Sequence, residues 1–189
     1  MPVRAIPLLA LLLLAQVDYA REAIALGKTH DDALFESFNK GYSLAPSEMI
    51  DSAEVITEFR RAVLLVRERV SMGEYAITER DLNQMITPYL GKVAFVVQAR
   101  LNPLNTLLKA PQYDLYVSTG PATKPVVPEN LKRDPVYALG PPGSPIVGVR
   151  LQATFQRDAI LSANVPMLVV VDDRANIVWQ TRVDLSRFR

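Results

Sequence analysis

The chain has 189 residues, of which 49% are hydrophobic and 22% charged, as in a folded globular protein of one domain or of one domain with an appended helical part. Its formal net charge of +1 supplies no field of one sign for nucleic acid or an anionic membrane. It contains no cysteine and one histidine, which excludes disulfides, thiolate metal sites, thiol nucleophiles and multi-histidine metal sites.

Residues 1–15 have the pattern of an export signal. Arg4 provides a short positive region, residues 5–14 form an apolar run, and Ala15 is small enough to precede a cleavage site. The match is incomplete, because Leu13 lies where a second small residue is expected. The run is too short for a transmembrane helix, which needs about 20 residues. A buried N-terminal helix and a retained membrane anchor are the alternatives left open.

Residues 16–91 are predicted to be a helical region. A short helix over residues 17–26 is expected to end at Gly27. Thr29, with Asp32 three residues further on, is the expected N-cap of the next helix.

The clearest helical pattern covers residues 49–71. Its apolar side chains recur at intervals of three and four residues and therefore share one face. Gly73 is the expected end of this helix, and Thr78 with Asp81 predicts a capping box at the start of another. Two helices joined by a short glycine-containing loop predict an antiparallel helical hairpin. The apolar face consists of Ile56, Phe59, Val63, Val66 and Val70.

Residues 92–189 are predicted to form an antiparallel β domain. Apolar and polar residues alternate there with a period of two, as in half-buried strands, and no helices alternate with the strands. The preferred architecture is a sandwich, and a single sheet with the helices on one face is the alternative. The predicted fold class is therefore α+β: N-terminal helices followed by an antiparallel, sandwich-like β domain. Five strands are expected, at residues 92–101, 113–118, 146–156, 167–171 and 177–185.

The segment 120–145 is predicted to be a proline-rich loop. Eight prolines lie between Pro111 and Pro145, so most of the segment is expected to be extended, with a short edge strand at residues 136–139. Proline-rich cover can protect a sheet edge from pairing. Residues 124–144 are either a recognition loop or a plain covering loop.

His30 is the first candidate for catalysis, and it lies beside Asp31 and Asp32 at an expected helix N-terminus. Capping and the helix dipole account for the two acids. No G-x-S-x-G motif and no spacing of serine, acid and histidine accompanies it. No catalytic residue is therefore assigned.

Asp172, Asp173 and Asn176 crowd the short stretch between two predicted strands. Their oxygens suit calcium, but their spacing is not that of an EF-hand loop. Aspartate and asparagine are also the residues that hairpin turns favour. A turn is the preferred interpretation, and no metal ligand is assigned.

Two further kinds of site leave little trace in the sequence. Glycoside hydrolysis needs two carboxylates in one cleft, and the spacing of the acids in the β domain selects no pair. Tyr116 is the only aromatic residue on the polar face of a predicted strand. The acids of the β domain are Asp158, Asp172, Asp173 and Asp184, and its expected core aromatics are Phe95, Phe155 and Trp179. The arginines of the long helix are expected mostly off its apolar face, on an exposed face of mixed charge: Arg60, Arg61, Arg67 and Arg69.

Three classes of function remain, with no cofactor expected in any of them. The preferred hypothesis is an exported, non-enzymatic binding or interaction module of the cell envelope, periplasmic or secreted, with an unknown protein or small ligand as partner. The alternatives are an uncharacterised carboxylate-dependent hydrolase and a membrane-tethered structural protein. Nucleic acid is not an expected partner, and a membrane is expected only if the N-terminal segment is retained.

Overall fold

The computed structural model describes residues 19–101, 110–120, 123–139, 144–162 and 166–189. The predicted export signal lies outside these residues. The chain divides into two compact units. Within the described ranges, the helical unit consists of residues 19–38 and 58–90, and the β unit of residues 39–57 and 91–189.

The helical unit is built around one buried helix. Its helices are α1 (residues 19–27), α2 (Asp32–Lys40, which continues past residue 38), α3 (Glu58–Ser71) and α4 (Glu79–Ile86), with a 3₁₀ turn at Thr87–Tyr89. The predicted apolar face of α3 is confirmed, because Phe59, Val63, Val66 and Val70 are all buried. Arg60, which was expected on the exposed face of mixed charge, is buried instead, with only 3% of its surface exposed. The other helices complete the core with Ala20, Ala23, Leu82 and Ile86.

Helix α1 approaches α3 so closely that Gly27 has no room for a side chain. A Cβ atom at this position would lie 2.6 Å from the Cβ atom of Val66 and 2.8 Å from the carbonyl oxygen of Val63. Gly27 is the last residue of α1, close to the predicted end. The reason for glycine is packing rather than a left-handed backbone.

The two predicted helix starts have different outcomes. The capping box of α4 is confirmed: Thr78 Oγ1 accepts a hydrogen bond from Asp81 N at 3.3 Å, and Asp81 Oδ2 accepts one from Thr78 N at 2.9 Å. The N-cap prediction at Thr29 is wrong. Asp31 caps α2 instead, because its Oδ1 lies 3.0 Å from Leu34 N, the donor three residues on.

The prediction of a helix from residue 49 is wrong over its first part. Residues Ile50–Ile56 form strand β2, which pairs with the two-residue β1 (Ser43–Leu44), and α3 begins only at Glu58. Ile56 continues the spacing of the α3 stripe, yet it lies opposite Ala94 in the next strand. Pairing with a strand about 40 residues away therefore overrides the local periodicity. The predicted helical region 16–91 thus contains two strands of the β unit.

A five-stranded antiparallel sheet in the order β1-β2-β3-β6-β5 forms the larger part of the β unit. Its other strands are β3 (Lys92–Arg100), β5 (Asn130–Tyr137) and β6 (Ile146–Gln156), and the short helix α5 (Arg157–Leu161) follows β6. Alternate residues of β3 and β6 are buried on one face. Phe95 and Phe155 meet there edge to face, with ring centroids 5.7 Å apart.

Strand β5 corrects the prediction for the proline-rich segment. It starts well before the expected short strand at residues 136–139, so residues 130–137 are not loop. Pro135 fits because β5 is an edge strand that pairs only with β6. An edge strand needs N–H donors on one side only. The sequence pattern alone could not show that this segment lies at a sheet edge.

The second sheet has three antiparallel strands in the order β4 (Asp114–Ser118), β7 (Met167–Val171) and β8 (Ile177–Arg182). Arg133 of β5 donates from Nε to the carbonyl oxygen of Tyr113 at 2.7 Å and pairs with the carboxylate of Asp114. One guanidinium group therefore links the two sheets. The α+β class, with N-terminal helices followed by antiparallel strands, is confirmed. The buried residues of this sheet include Leu115, Val117, Leu168, Val170 and Trp179.

The contact between α1 and α3 can be tested by adding volume at Gly27. Gly27→Val is expected to lower the free energy of unfolding by about 1–3 kcal/mol, the usual cost of overpacking. Ala25→Val, at an exposed position of the same helix, should cost only the difference in helix propensity, about 0.6 kcal/mol. Urea denaturation of both variants measures this, and equal losses would contradict the close approach.

Candidate functional site

A cleft of about 620 Å³ lies between the C-terminal end of α3 and the first turns of α4. This volume is in the range of small-ligand sites. Its polar side chains, together with one tyrosine and one methionine, come from the end of α3, from the connection at residues 72–77, and from one side of α4. They are Arg69, Glu74, Tyr75, Asp81, Gln84 and Met85.

The connection is held at its α3 end by a glycine turn. Gly73 has a φ of 87°, a left-handed conformation that glycine adopts without strain. Gly73 N donates to Val70 O at 3.0 Å, and Glu74 N donates to Arg69 O at 2.9 Å, which is the Schellman pattern. The chain therefore leaves α3 in a defined direction and carries Tyr75 past the helix end.

The other end of the connection is held by the capping box and by a lysine. Lys28 Nζ donates to the carbonyl oxygen of Ile77 at 3.4 Å, just before Thr78 caps α4. Hydrogen bonds from the side chain and backbone of Thr78 lower the pKa of Asp81. Asp81 is thus an ionised acceptor engaged in capping, not a proton donor.

The polar wall of the cleft is formed by an ion pair. Arg69 Nη1 donates to both carboxylate oxygens of Glu74, at 3.0 and 2.8 Å. The pair neutralises both charges locally, and the contact uses the Nη1 group of Arg69. Within the described part of the chain, the Tyr75 hydroxyl and the Gln84 amide make no hydrogen bond. The Tyr75 side chain is 57% exposed.

His30 and its two neighbouring acids lie on the surface of the helical unit, apart from the cleft lining. His30 is exposed and does not line the cleft. Asp31 caps α2, and Asp32 lies 3.3 Å from Arg67 Nη2 in an ion pair. Capping, as predicted, explains Asp31.

Asp172 organises the turn between β7 and β8, as predicted. Its Oδ1 accepts hydrogen bonds from Arg174 N and Asn176 N at 2.9 and 2.8 Å, and its Oδ2 accepts one from Asn176 Nδ2 at 2.9 Å. These bonds lower the pKa of Asp172, the bond from the Asn176 side chain most of all. Ala175 takes a left-handed φ of 61° in the same turn.

Two other acids, Asp184 and Glu129, also have structural roles. Asp184 Oδ1 accepts from Ser186 N at 3.0 Å and from Ser186 Oγ at 2.6 Å, and so caps the 3₁₀ turn Leu185–Arg187. Those bonds lower its pKa. Bonds from Gln156 and Lys92 likewise lower the pKa of Glu129. Hydrogen bonding therefore favours the ionised form at each of these positions.

Two arginines of α3 lie on aromatic rings, a third is buried and the fourth pairs with Glu74, so they do not form a basic patch. The Arg61 guanidinium lies 4.9 Å from the Tyr89 ring centroid, and that of Arg67 lies 4.7 Å from the Phe35 centroid. Burial lowers the pKa of Arg61. Among the aromatic residues weighed from the sequence, Phe95, Phe155 and Trp179 are buried as predicted, and Tyr116 is half-buried.

The sequence did not single out Tyr75 or Gln84. The sequence did contain one signal for Tyr75. It is an aromatic residue in the short link between the helix end at Gly73 and the N-cap at Thr78, where it belongs to no strand pattern.

The chain matches no protein family model, no curated protein and no solved structure. Within the described ranges, no group of three or more acids or histidines is arranged to hold a metal ion. None of the helices described is long and apolar enough to span a bilayer.

The turn role of Asp172 predicts a pH dependence of stability. Its pKa in the folded chain lies below the ordinary value of 3.8, so its stabilisation is full above that value and is lost as the pH falls through the folded pKa. Asp172→Asn should therefore lower the melting temperature at pH 7, and the gap from the wild type should narrow below about pH 4.

Asp173→Asn is the matched control, because the Asp173 carboxylate makes no hydrogen bond in the described part of the chain. Thermal unfolding followed by circular dichroism between pH 7 and about pH 3 gives the comparison. A gap that stays constant over this range would contradict the turn role. A calcium-dependent rise in melting temperature that Asp172→Asn abolishes would favour a metal site instead.

Proposed function

We propose that the protein is an exported, non-enzymatic binding module of the cell envelope, and that it binds its ligand in the cleft between α3 and α4. The observation that carries the proposal is an exposed aromatic ring, Tyr75, beside an uncommitted amide, Gln84, in a concave site of ligand size. Export is supported by the sequence pattern of residues 1–15.

The charges of the cleft favour a neutral ligand. Arg69 and Glu74 neutralise each other, and the Asp81 carboxylate already accepts two hydrogen bonds from Thr78. An anionic ligand would have to open the Arg69–Glu74 pair to gain a partner, and it would also meet the ionised carboxylate of Asp81. A neutral ligand can instead use the remaining donors and lone pairs of the ion pair without separating it.

The side-chain types favour a ligand with adjacent hydroxyl groups. Arginine, glutamate and glutamine are planar groups with two parallel donor or acceptor positions, which suit neighbouring hydroxyls. Tyr75 and Met85 add apolar surface for the C–H face of a ring. A neutral glycan combines these features, and cell envelopes present such chains.

A hydrolytic role receives no support from the acids. A general acid of a glycosidase needs a raised pKa, whereas the pKa values of Asp81, Glu129, Asp172 and Asp184 are lowered. We therefore propose binding without cleavage.

Binding is tested with variants that flank the same turn. Tyr75→Ala is expected to weaken binding of neutral oligosaccharides by about tenfold, which corresponds to a loss of about 1.4 kcal/mol, and Gln84→Ala to weaken it less. Met72→Ala is the matched control, because Met72 is 64% exposed in the same connection but does not line the cleft.

The probes are chito-oligosaccharides and soluble fragments of cell-wall glycan, with an anionic oligosaccharide and short peptides for comparison. Chemical-shift changes in the chain report both affinity and position. Binding of the anionic or peptide probes at Tyr75 would overturn the ligand class. No binding by any probe, or equal effects of Tyr75→Ala and Met72→Ala, would overturn the cleft as the site.

Export is tested separately by the intact mass of the protein from the producing cell, fractionated into membrane, periplasm and medium. A mass that matches a start at Gln16 in a soluble fraction is expected. The full-length mass in the membrane would favour the tethered structural protein. The full-length mass in the cytosol would overturn the envelope proposal.

A further inference from the structure

Strand β8 leaves one edge of the three-stranded sheet open. It pairs with β7 on one side, and no other described strand lies on its second side. Val183 N donates to Pro166 O at 2.9 Å, beyond the last pair Met167–Arg182. Because hydrogen-bonded pairs alternate along an antiparallel ladder, the backbone N–H and C=O groups of Gln180 and Arg182 point away from β7.

The other three sheet edges carry recognisable protection. Strand β1 has only two residues. Strand β5 contains Pro135, which has no N–H donor, within a charged stretch. Strand β4 is covered where Val126 exchanges two hydrogen bonds with Val117, at 2.9 and 2.8 Å, and where Arg133 occupies the carbonyl of Tyr113.

Strand β8 has none of these devices along its central residues. It contains no proline, it is six residues long, and its only charged side chain is Arg182 at the last position. Gln180 is exposed in the middle of the strand. An open edge of this kind is a template for strand addition.

We propose that β8 pairs antiparallel with β8 of a second copy of the chain, about a two-fold axis at Gln180. Gln180 is the central residue whose backbone groups face outward, so the axis sets it opposite itself and lets the two backbones exchange both hydrogen bonds. The two side-chain amides can then donate to and accept from each other.

The sequence of β8 suits an axis at Gln180 better than an axis at Arg182. With the axis at Gln180, Arg182 lies opposite Val178 of the partner subunit, and no like charges face each other. With the axis at Arg182, this residue would lie opposite Arg182 of the partner subunit. Directly opposed like charges destabilise a strand pair. A two-fold pairing about Gln180 therefore sets no like charges opposite each other.

The protected edges also determine where assembly stops. A two-fold strand pair uses the same edge on both copies, so it closes after two chains. Growth into longer assemblies would need a second accessible edge, and β1, β4 and β5 do not offer one. A dimer, and not a fibre, is the expected product.

This inference is independent of the cleft, which lies in the helical unit, and either can fail alone. The test uses the chain as recovered from the producing cell, studied by sedimentation at concentrations up to about 0.5 mM. The wild type is expected to dimerise. Gln180→Lys and Gln180→Glu, each alone, set like charges opposite each other and should weaken the dimer by at least about tenfold.

An equimolar mixture of the Lys and Glu variants is expected to recover the dimer, because the charges at the axis are then opposite. Gln180 is exposed, so at concentrations where the wild type is monomeric both variants should keep its melting temperature, which serves as the folding control. Hydrogen exchange adds a local measurement: the amide of Gln180 should exchange more slowly as the wild-type concentration rises, while Tyr75 is unchanged.

A wild type that stays monomeric over the whole range would overturn the proposal. So would a dimer that Gln180→Lys leaves intact, or variants that weaken it without recovery on mixing. If the Gln180 amide is protected only when a different protein is added, the edge takes a strand of that protein and the second-copy assignment is wrong.

Discussion

The buried face of α3 is the constraint on which the helical unit depends. Five side chains of this helix lie in the buried core, and the neighbouring helices are adapted to it. The adaptation is sharpest at Gly27, where the Cβ of Val66 occupies the space that any side chain would need. Because α3 is held from both sides, the position of its C-terminal end, and with it Arg69, is determined by core packing rather than by the surface.

The cleft follows from that rigidity together with two local stop signals. The Schellman turn at Gly73 and the capping box at Thr78 confine the connection to a few residues, so its side chains cannot fold back onto the core. Tyr75 therefore remains exposed although it is large and mostly apolar. Loops held by rigid helices are where binding groups are commonly presented, and here the polar groups are already paired into a neutral wall.

Local signals were predictable from the sequence, and pairings across long separations were not. The capping box of α4, the long strands β3 and β6, and the Asp172 turn each depend on residues close together in the chain. Strand β2 was mistaken for helix because its partner β3 lies about 40 residues on, and Ile56 fits both patterns. The cleft was not predicted because it depends on the distance between α3 and α4, and the periodicity of a sequence gives no information about that distance.

Strand β5 shows why the proline-rich segment was the hardest part to interpret. Proline argues against a central strand, and eight prolines in one stretch suggested loop, but an edge strand needs donors on one side only. The missing N–H of proline, which made β5 hard to predict, also makes its edge unable to pair fully with another strand.

Three of the four sheet edges of the β unit are protected: β5 contains a proline, β4 carries a bridge and a guanidinium group, and β1 has only two residues. Against that pattern the bare edge of β8 is a departure, because an edge of six residues with outward N–H groups otherwise invites uncontrolled pairing. A self-complementary pairing that closes after two copies removes that hazard without any protective residue, which is the physical reason for assigning the edge to a second copy of the chain.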